Sequence, residues 1–258
     1  MSIIYNENTR NIETRSWEYY NKYISSKVNY KNCEILYTND IQNDVHHLEH
    51  QNRRPFDISG TAIYNDKMSR VYIQYDESNT SNSYLIQMYT TTVHELTHIY
   101  NDMLLQEHNI NPNANDSLNQ YYILWHEFQS YYTETIHLPK ILSYIYHTNS
   151  SFGKQEFDMY VNDIYQSKKR VIDFIILFAR LYAFETINKN ELSNHFYPNC
   201  ELTLQETLNV IVKDTYYNNF YQLYNLLREL NQQLVPVQKQ ILEMKNFVDP
   251  LISSTYLK

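Results

Sequence analysis

The 258-residue sequence predicts an α+β fold: a small antiparallel sheet with long helices over residues 1–150, then an all-α region over residues 151–258. Three observations carry this reading. Val71, Ile73 and Tyr75 share one face of Arg70-Val71-Tyr72-Ile73-Gln74-Tyr75, which faces Thr61-Ala62-Ile63-Tyr64 across the polar turn Asn65-Asp66-Lys67, a β-hairpin pattern. A long helix is predicted from about Ser83 to Glu107, with Val93, Leu96, Tyr100 and Met103 as its core stripe. From Lys154 onward the spacing is helical throughout, and Ser150-Ser151-Phe152-Gly153 is the best boundary between the two regions.

Each element follows in chain order. Asn11 to Lys27 reads as a helix, because Trp17, Tyr20 and Ile24 fall on one stripe at spacings of three and four. Cys33-Glu34-Ile35-Leu36-Tyr37-Thr38 reads as a strand ended by Asn39-Asp40. Ile41 to Asn52 carries Ile41, Val45 and Leu48 at helical spacing and is closed by Pro55. The hairpin and the polar loop Asp76 to Ser83 lead into the long helix, and Asn109 to Asp116, with Pro112, connects it to a second helix from Ser117 to Leu138. Pro139 is expected to kink or end that helix, since proline lacks the N–H that a helix interior needs. Gln155 to Asn188, Thr203 to Leu234 and Val237 to Val248 complete the C-terminal region. No clustered His or Cys occurs there, so it reads as structural support or a partner surface.

Composition excludes several function classes. The 43% hydrophobic content is that of a globular chain. Two glycines are too few for the loops that bring backbone close to phosphate, so nucleotide-dependent chemistry is not expected. Net charge is −8, and the densest basic patch is Lys168-Lys169-Arg170, which argues against direct nucleic-acid binding. The 27 tyrosines are spread over the whole chain, a compositional bias rather than a motif. Cys33 and Cys200 form no C-x-x-C and fit a reducing cytoplasm. No basic, then apolar, leader is seen at Met1 to Glu7. Val171 to Ile187, the most apolar window, is interrupted by Asp173, Arg180 and Glu185 and reads as a buried helix, not a membrane span. The expected setting is therefore cytoplasmic, with no membrane contact; nothing in the sequence sets the oligomeric state.

The chemistry centres on His94-Glu95-Leu96-Thr97-His98, an H-E-x-x-H pattern within the long helix. Residues four apart on a helix lie about 40° apart in projection and one turn apart in height, so both imidazoles can reach one metal ion. Glu95, on the neighbouring edge of that face, is placed to take a proton from a metal-bound water. Chance alone yields this pattern in about one chain in forty of this composition, so context decides. A catalytic zinc needs a third protein ligand and an open fourth position. Glu127, on the following helix and 29 residues after His98, is the leading third ligand; Glu134, two turns later, and His126, about 100° around the helix, are its rivals. Tyr131, one turn after Glu127, could donate to an oxyanion, although a packed aromatic is the plainer reading in a chain this rich in tyrosine. Asp102 could orient an imidazole or simply be a solvated helix residue. A competing pattern, H-x-x-E-H, lies at His46-His47-Leu48-Glu49-His50, on a short polar helix that lacks a hairpin and a long apolar partner.

On His94-Glu95-Leu96-Thr97-His98, the downstream Glu127 and the preceding hairpin, the chain resembles the gluzincin metallopeptidases over roughly Asp57 to Pro139. Within that group it is most similar to the compact ImmA/IrrE-type peptidases, whose pattern includes a Leu-Pro after the ligand helix, here Leu138-Pro139. It departs from them in Thr97, where they often have Gly, and in Glu127-Phe128-Gln129-Ser130-Tyr131, where they have E-A-N-x-F-A. The resemblance implies a zincin-like domain and hydrolysis of a protein or peptide substrate. It also implies one Zn2+ held by His94, His98 and Glu127, with Glu95 as base. It further implies that the strand nearest the motif helix, Arg70 to Tyr75, would pair with extended substrate. The alternative is a zincin-fold module that binds a protein partner without hydrolysis, which would have no use for Glu95.

Overall fold

A computed structural model describes residues 3–49, 59–110, 116–146, 154–190, 199–232, 238–252 and 255–258. These residues form a mostly helical α+β structure with one three-stranded sheet. In chain order the elements are α1 (Glu7–Tyr23), β1 (Cys33–Thr38), α2 (Ile41–Glu49), β2 (Gly60–Ile63), β3 (Ser69–Gln74), α3 (Asn82–Glu107) and α4 (Asp116–Tyr146). Five helices follow: α5 (Lys154–Gln166), α6 (Val171–Asn190), α7 (Cys200–Ile211), α8 (Asp214–Gln232) and α9 (Gln238–Ile252). Two compact units are present. One comprises Met1–Met103 and Lys140–Asn149; the other comprises Leu104–Pro139 and Ser150–Lys258, so Leu104–Pro139 groups with the C-terminal helices.

In the first unit, α1 starts four residues earlier than its apolar stripe suggests, because Asn6 caps it. The Asn6 side chain accepts from the Thr9 backbone N–H at 2.9 Å, and the Thr9 hydroxyl accepts from the Asn6 N–H at 3.0 Å, so both donors are satisfied reciprocally. The helix buries Ile12, Trp17, Tyr19 and Tyr20. The sheet has the order β1-β3-β2 and is mixed, not purely antiparallel as expected. The hairpin forms, with Gly60 opposite Ile73 and Ile63 opposite Arg70. β1 lies parallel to β3 on the other side, from Cys33 opposite Ser69 to Thr38 opposite Gln74. Parallel neighbours need a crossover of about a dozen residues or more, and the stretch 39–68 with α2 in it supplies one.

β3 is thus the central strand, buried on both faces. Val71, Ile73 and Tyr75 pack with Ile35 and Tyr37 against Val93, Leu96 and Ile99 of α3. Tyr72 faces the other way, onto Leu36 and the α2 residues Ile41 and Val45. Both edges of β3 are paired, which corrects the expectation that Arg70 to Tyr75 offers an edge to substrate.

Helix α3 ends in a left-handed turn. Asn109 has φ 57°, its N–H reaches the Gln106 carbonyl at 2.8 Å, and the Ile110 N–H reaches the Leu105 carbonyl at 2.8 Å. Helix α4 runs through Pro139 instead of ending there. An interior proline costs about 3 kcal/mol. Opposing it, Ile141 is fully buried in the first unit's core, and the Tyr144 ring packs edge-on against Tyr19 at 5.7 Å. Full burial of an Ile side chain contributes about 1.5–3 kcal/mol, which together with the half-buried Tyr144 ring offsets the proline.

The second unit is helical, and each of its two long predicted stretches is broken once. Between α5 and α6, Lys169 adopts φ 55° and the Asp173 carboxylate accepts from the Arg170 N–H at 2.7 Å, restarting the helix. Between α7 and α8, Val212 leaves the helix and bridges to Leu257, while the Lys213 N–H donates to the Tyr256 carbonyl at 2.8 Å. The aromatic rings of Phe174, Phe178, Phe220 and Tyr224 fill the core, with Phe174 and Phe220 centroids 4.3 Å apart. Helix α6 is the spine of this core, as its apolar sequence implied. Among the described residues no helix is long and apolar enough to cross a membrane.

Candidate metal centre

The centre is built on α3. Its inner stripe packs on the sheet, and this fixes the rotation of the helix and therefore where the motif side chains point. Two buried threonines satisfy their hydroxyls within the helix: Thr92 donates to the Met88 carbonyl at 2.7 Å and Thr97 to the Val93 carbonyl at 2.8 Å. The Tyr20 hydroxyl of α1 lies 3.5 Å from the Thr97 oxygen. Thr97, one departure from the pattern of the resembling peptidases, is thus a packed anchor between α1 and α3.

His94 is buried, with 7% exposure, and His98 is half-buried one turn later. Their Nε2 atoms are 3.2 Å apart, and the rings stand at 70° with centroids 4.9 Å apart. Two nitrogens bound tetrahedrally to one zinc at about 2.0–2.1 Å stand about 3.3 Å apart. The observed separation matches that edge. A carboxylate oxygen of Glu127 joins them, and one ligand atom from each of the three residues lies within 4.8 Å of the others. The donor set of two imidazoles and one carboxylate suits zinc and other borderline divalent ions. Among the described residues this is the one group of three that could hold a metal ion.

Glu95 is as buried as His94, and its side chain lies against the start of β2. Burial pushes the Asp102 carboxyl up to about 7, so at neutral pH it is divided between acid and carboxylate. The rivals for third ligand are not in that group of three among the described residues. Glu134 lies by Tyr160 and Arg180: burial raises the Tyr160 phenol, Arg180 pulls it down, and the charge of Glu134 adds to the rise. The His126 ring sits edge-on to the fully buried Trp125, centroids 4.9 Å apart. Tyr131 packs against the helical core with the Arg180 guanidinium 5.4 Å from its ring centre, a cation–π contact that holds the ring in place.

The inverted pattern is described in part. His46 and His47 are exposed on α2 with ring centroids 5.5 Å apart, while the Glu49 side chain and His50 lie outside the described residues. His147 and His195 also lie outside them. One neighbour of the centre escaped motif reading altogether. Gly60 abuts Glu95, and its only sequence signal was rarity in a chain with two glycines. No family model matches the chain, and no curated protein or solved structure matches it either.

Proposed function

We propose that this protein is a zinc-dependent peptidase of the gluzincin type, acting in the cytoplasm on a protein or peptide substrate. The observation that carries the reading is the convergence of the His94 and His98 nitrogens at 3.2 Å, with a Glu127 oxygen beside them. Zinc held by these three residues would keep its fourth position open and lower the pKa of a water there to about 7. The chain's own contribution is then positional. Glu95, adjacent to His94 and shielded from solvent, takes the proton of the attacking water on its carboxylate and delivers it to the leaving amine. Burial of His94 and Glu95 limits the access of bulk water to their polar atoms. With β3 paired on both sides, an extended substrate would pair with the outer edge of β2, Gly60–Ile63, which begins beside Glu95.

Glu95→Gln keeps the metal ligands and removes the base. The expected result is one zinc per chain with turnover of an unfolded protein substrate reduced about 10²–10⁴-fold. Undiminished turnover in Glu95→Gln refutes the reading, and loss of turnover in Glu49→Gln instead would move the site to the inverted pattern. Zinc binding without hydrolysis by the wild-type chain would favour the non-catalytic binding module.

A further inference from the structure

We infer that Gly60 is a positioning residue for Glu95: it is glycine because the Glu95 carboxylate occupies the space a side chain would take. A Cβ built on Gly60 would lie 2.8 Å from Glu95 Cγ, 2.8 Å from Glu95 Oε1 and 2.8 Å from Thr91 Cγ2. Carbon atoms in contact stand about 3.5–4.0 Å apart, so each of these is a collision. Thr91 and Glu95 are one turn apart on α3, and the first residue of β2 lies in the notch between them.

Two alternatives for this glycine fail on the structure. Backbone conformation is not the reason, because no described glycine has a positive φ. Slack in the strand is not available either. Gly60 pairs with the fully buried Ile73, and the neighbouring Ser59 carbonyl accepts from the Gln74 N–H at 2.8 Å, so β2 is pinned at this point. Glu95 is itself 7% exposed, so its side chain has little open space to move into. An added methyl therefore acts on the carboxylate, pushing it from the position it holds against the start of β2. In a chain that uses two glycines in 258 residues, one of them stands where a Cβ would meet the proposed base.

The catalytic consequence rests on the peptidase reading; the contact itself does not, and the test separates the two. Folding equilibria are measured by urea unfolding for wild type, Gly60→Ala, Glu95→Ala and the double variant. Crowding by one methyl is expected to cost Gly60→Ala about tenfold in the folding constant, and Glu95→Ala to shrink that loss by about threefold, the remainder being the contact with Thr91. In zinc-loaded protein, Gly60→Ala is expected to keep one zinc per chain and lower kcat at least about tenfold while KM stays within about twofold. An undiminished penalty in the Glu95→Ala background, or wild-type kcat in Gly60→Ala, overturns the inference. Should Gly60→Ala not fold, folding of the double variant supports the contact, and failure of both overturns it. A wild-type protein without turnover but with the Gly60–Glu95 coupling intact would refute the peptidase reading and leave the positioning contact standing.

Discussion

Replacing Glu127 with Ala removes one of the three groups whose ligand atoms lie within 4.8 Å of one another. The effect can be sized by linkage. Zinc at 100 times its dissociation constant adds about 2.7 kcal/mol to the stability of a protein that binds it folded and not unfolded. Losing a residue that merely orients a ligand weakens metal binding about 10–100-fold, and losing a ligand weakens it at least as much as the upper figure. At the same zinc concentration the variant then sits near its dissociation constant, where the metal adds about 0.4 kcal/mol. The difference, about 2.3 kcal/mol, corresponds to about 5–9 °C of zinc-induced Tm for a chain of this size. Thermal melts with and without zinc, backed by competition against a chromogenic chelator, read this directly. Glu134→Ala is the control, since Glu134 faces Tyr160 and Arg180, and it should keep the full zinc-induced shift. Loss of the shift in Glu134→Ala with retention in Glu127→Ala would refute the assignment.

Other consequences can be checked on metal-free protein. The unfolded chain releases the Asp102 proton near 3.8 and the folded chain at about 7, so stability falls as pH rises from about 4 to about 7. Asp102→Asn should flatten that fall, and an unchanged difference between urea melts at pH 5 and pH 8 would contradict it. Burial pushes the Cys33 thiol up to about 12, and Cys200 is 3% exposed. Neither should react with a thiol reagent in native protein, and both should react in denaturant. Ile73→Ala empties a fully buried position on the central strand and should cost about 2–5 kcal/mol in urea unfolding.

What the sequence disclosed is what local geometry dictates. The convergence of His94 and His98 follows from helix pitch, and the hairpin follows from alternation around Asn65-Asp66-Lys67. The parallel pairing of β1 with β3 did not show, because it joins residues 36 apart and leaves no local mark. A hint was present in the unbroken run Val71-Tyr72-Ile73, since a strand buried on both faces loses its polar alternation. Helix ends were hidden for a different reason. Left-handed turns that glycine usually fills are taken here by Asn109 and Lys169, so the punctuation that marks boundaries in other chains is missing. Pro139 misled in the opposite direction, because packing of Ile141 and Tyr144 outweighs the broken helix bond. Gly60 carries no motif, and its meaning emerges when the strand is laid against α3.

The central claim is that His94, His98 and Glu127 hold one zinc beside Glu95, and zinc K-edge absorption on the purified protein tests it most directly. The expected spectrum is that of one zinc per chain in a four-coordinate shell of two imidazole nitrogens and two oxygens at about 2.0–2.2 Å, with one imidazole lost in His94→Ala. Sulfur in the shell, a six-oxygen environment, or a spectrum unchanged by His94→Ala would contradict it.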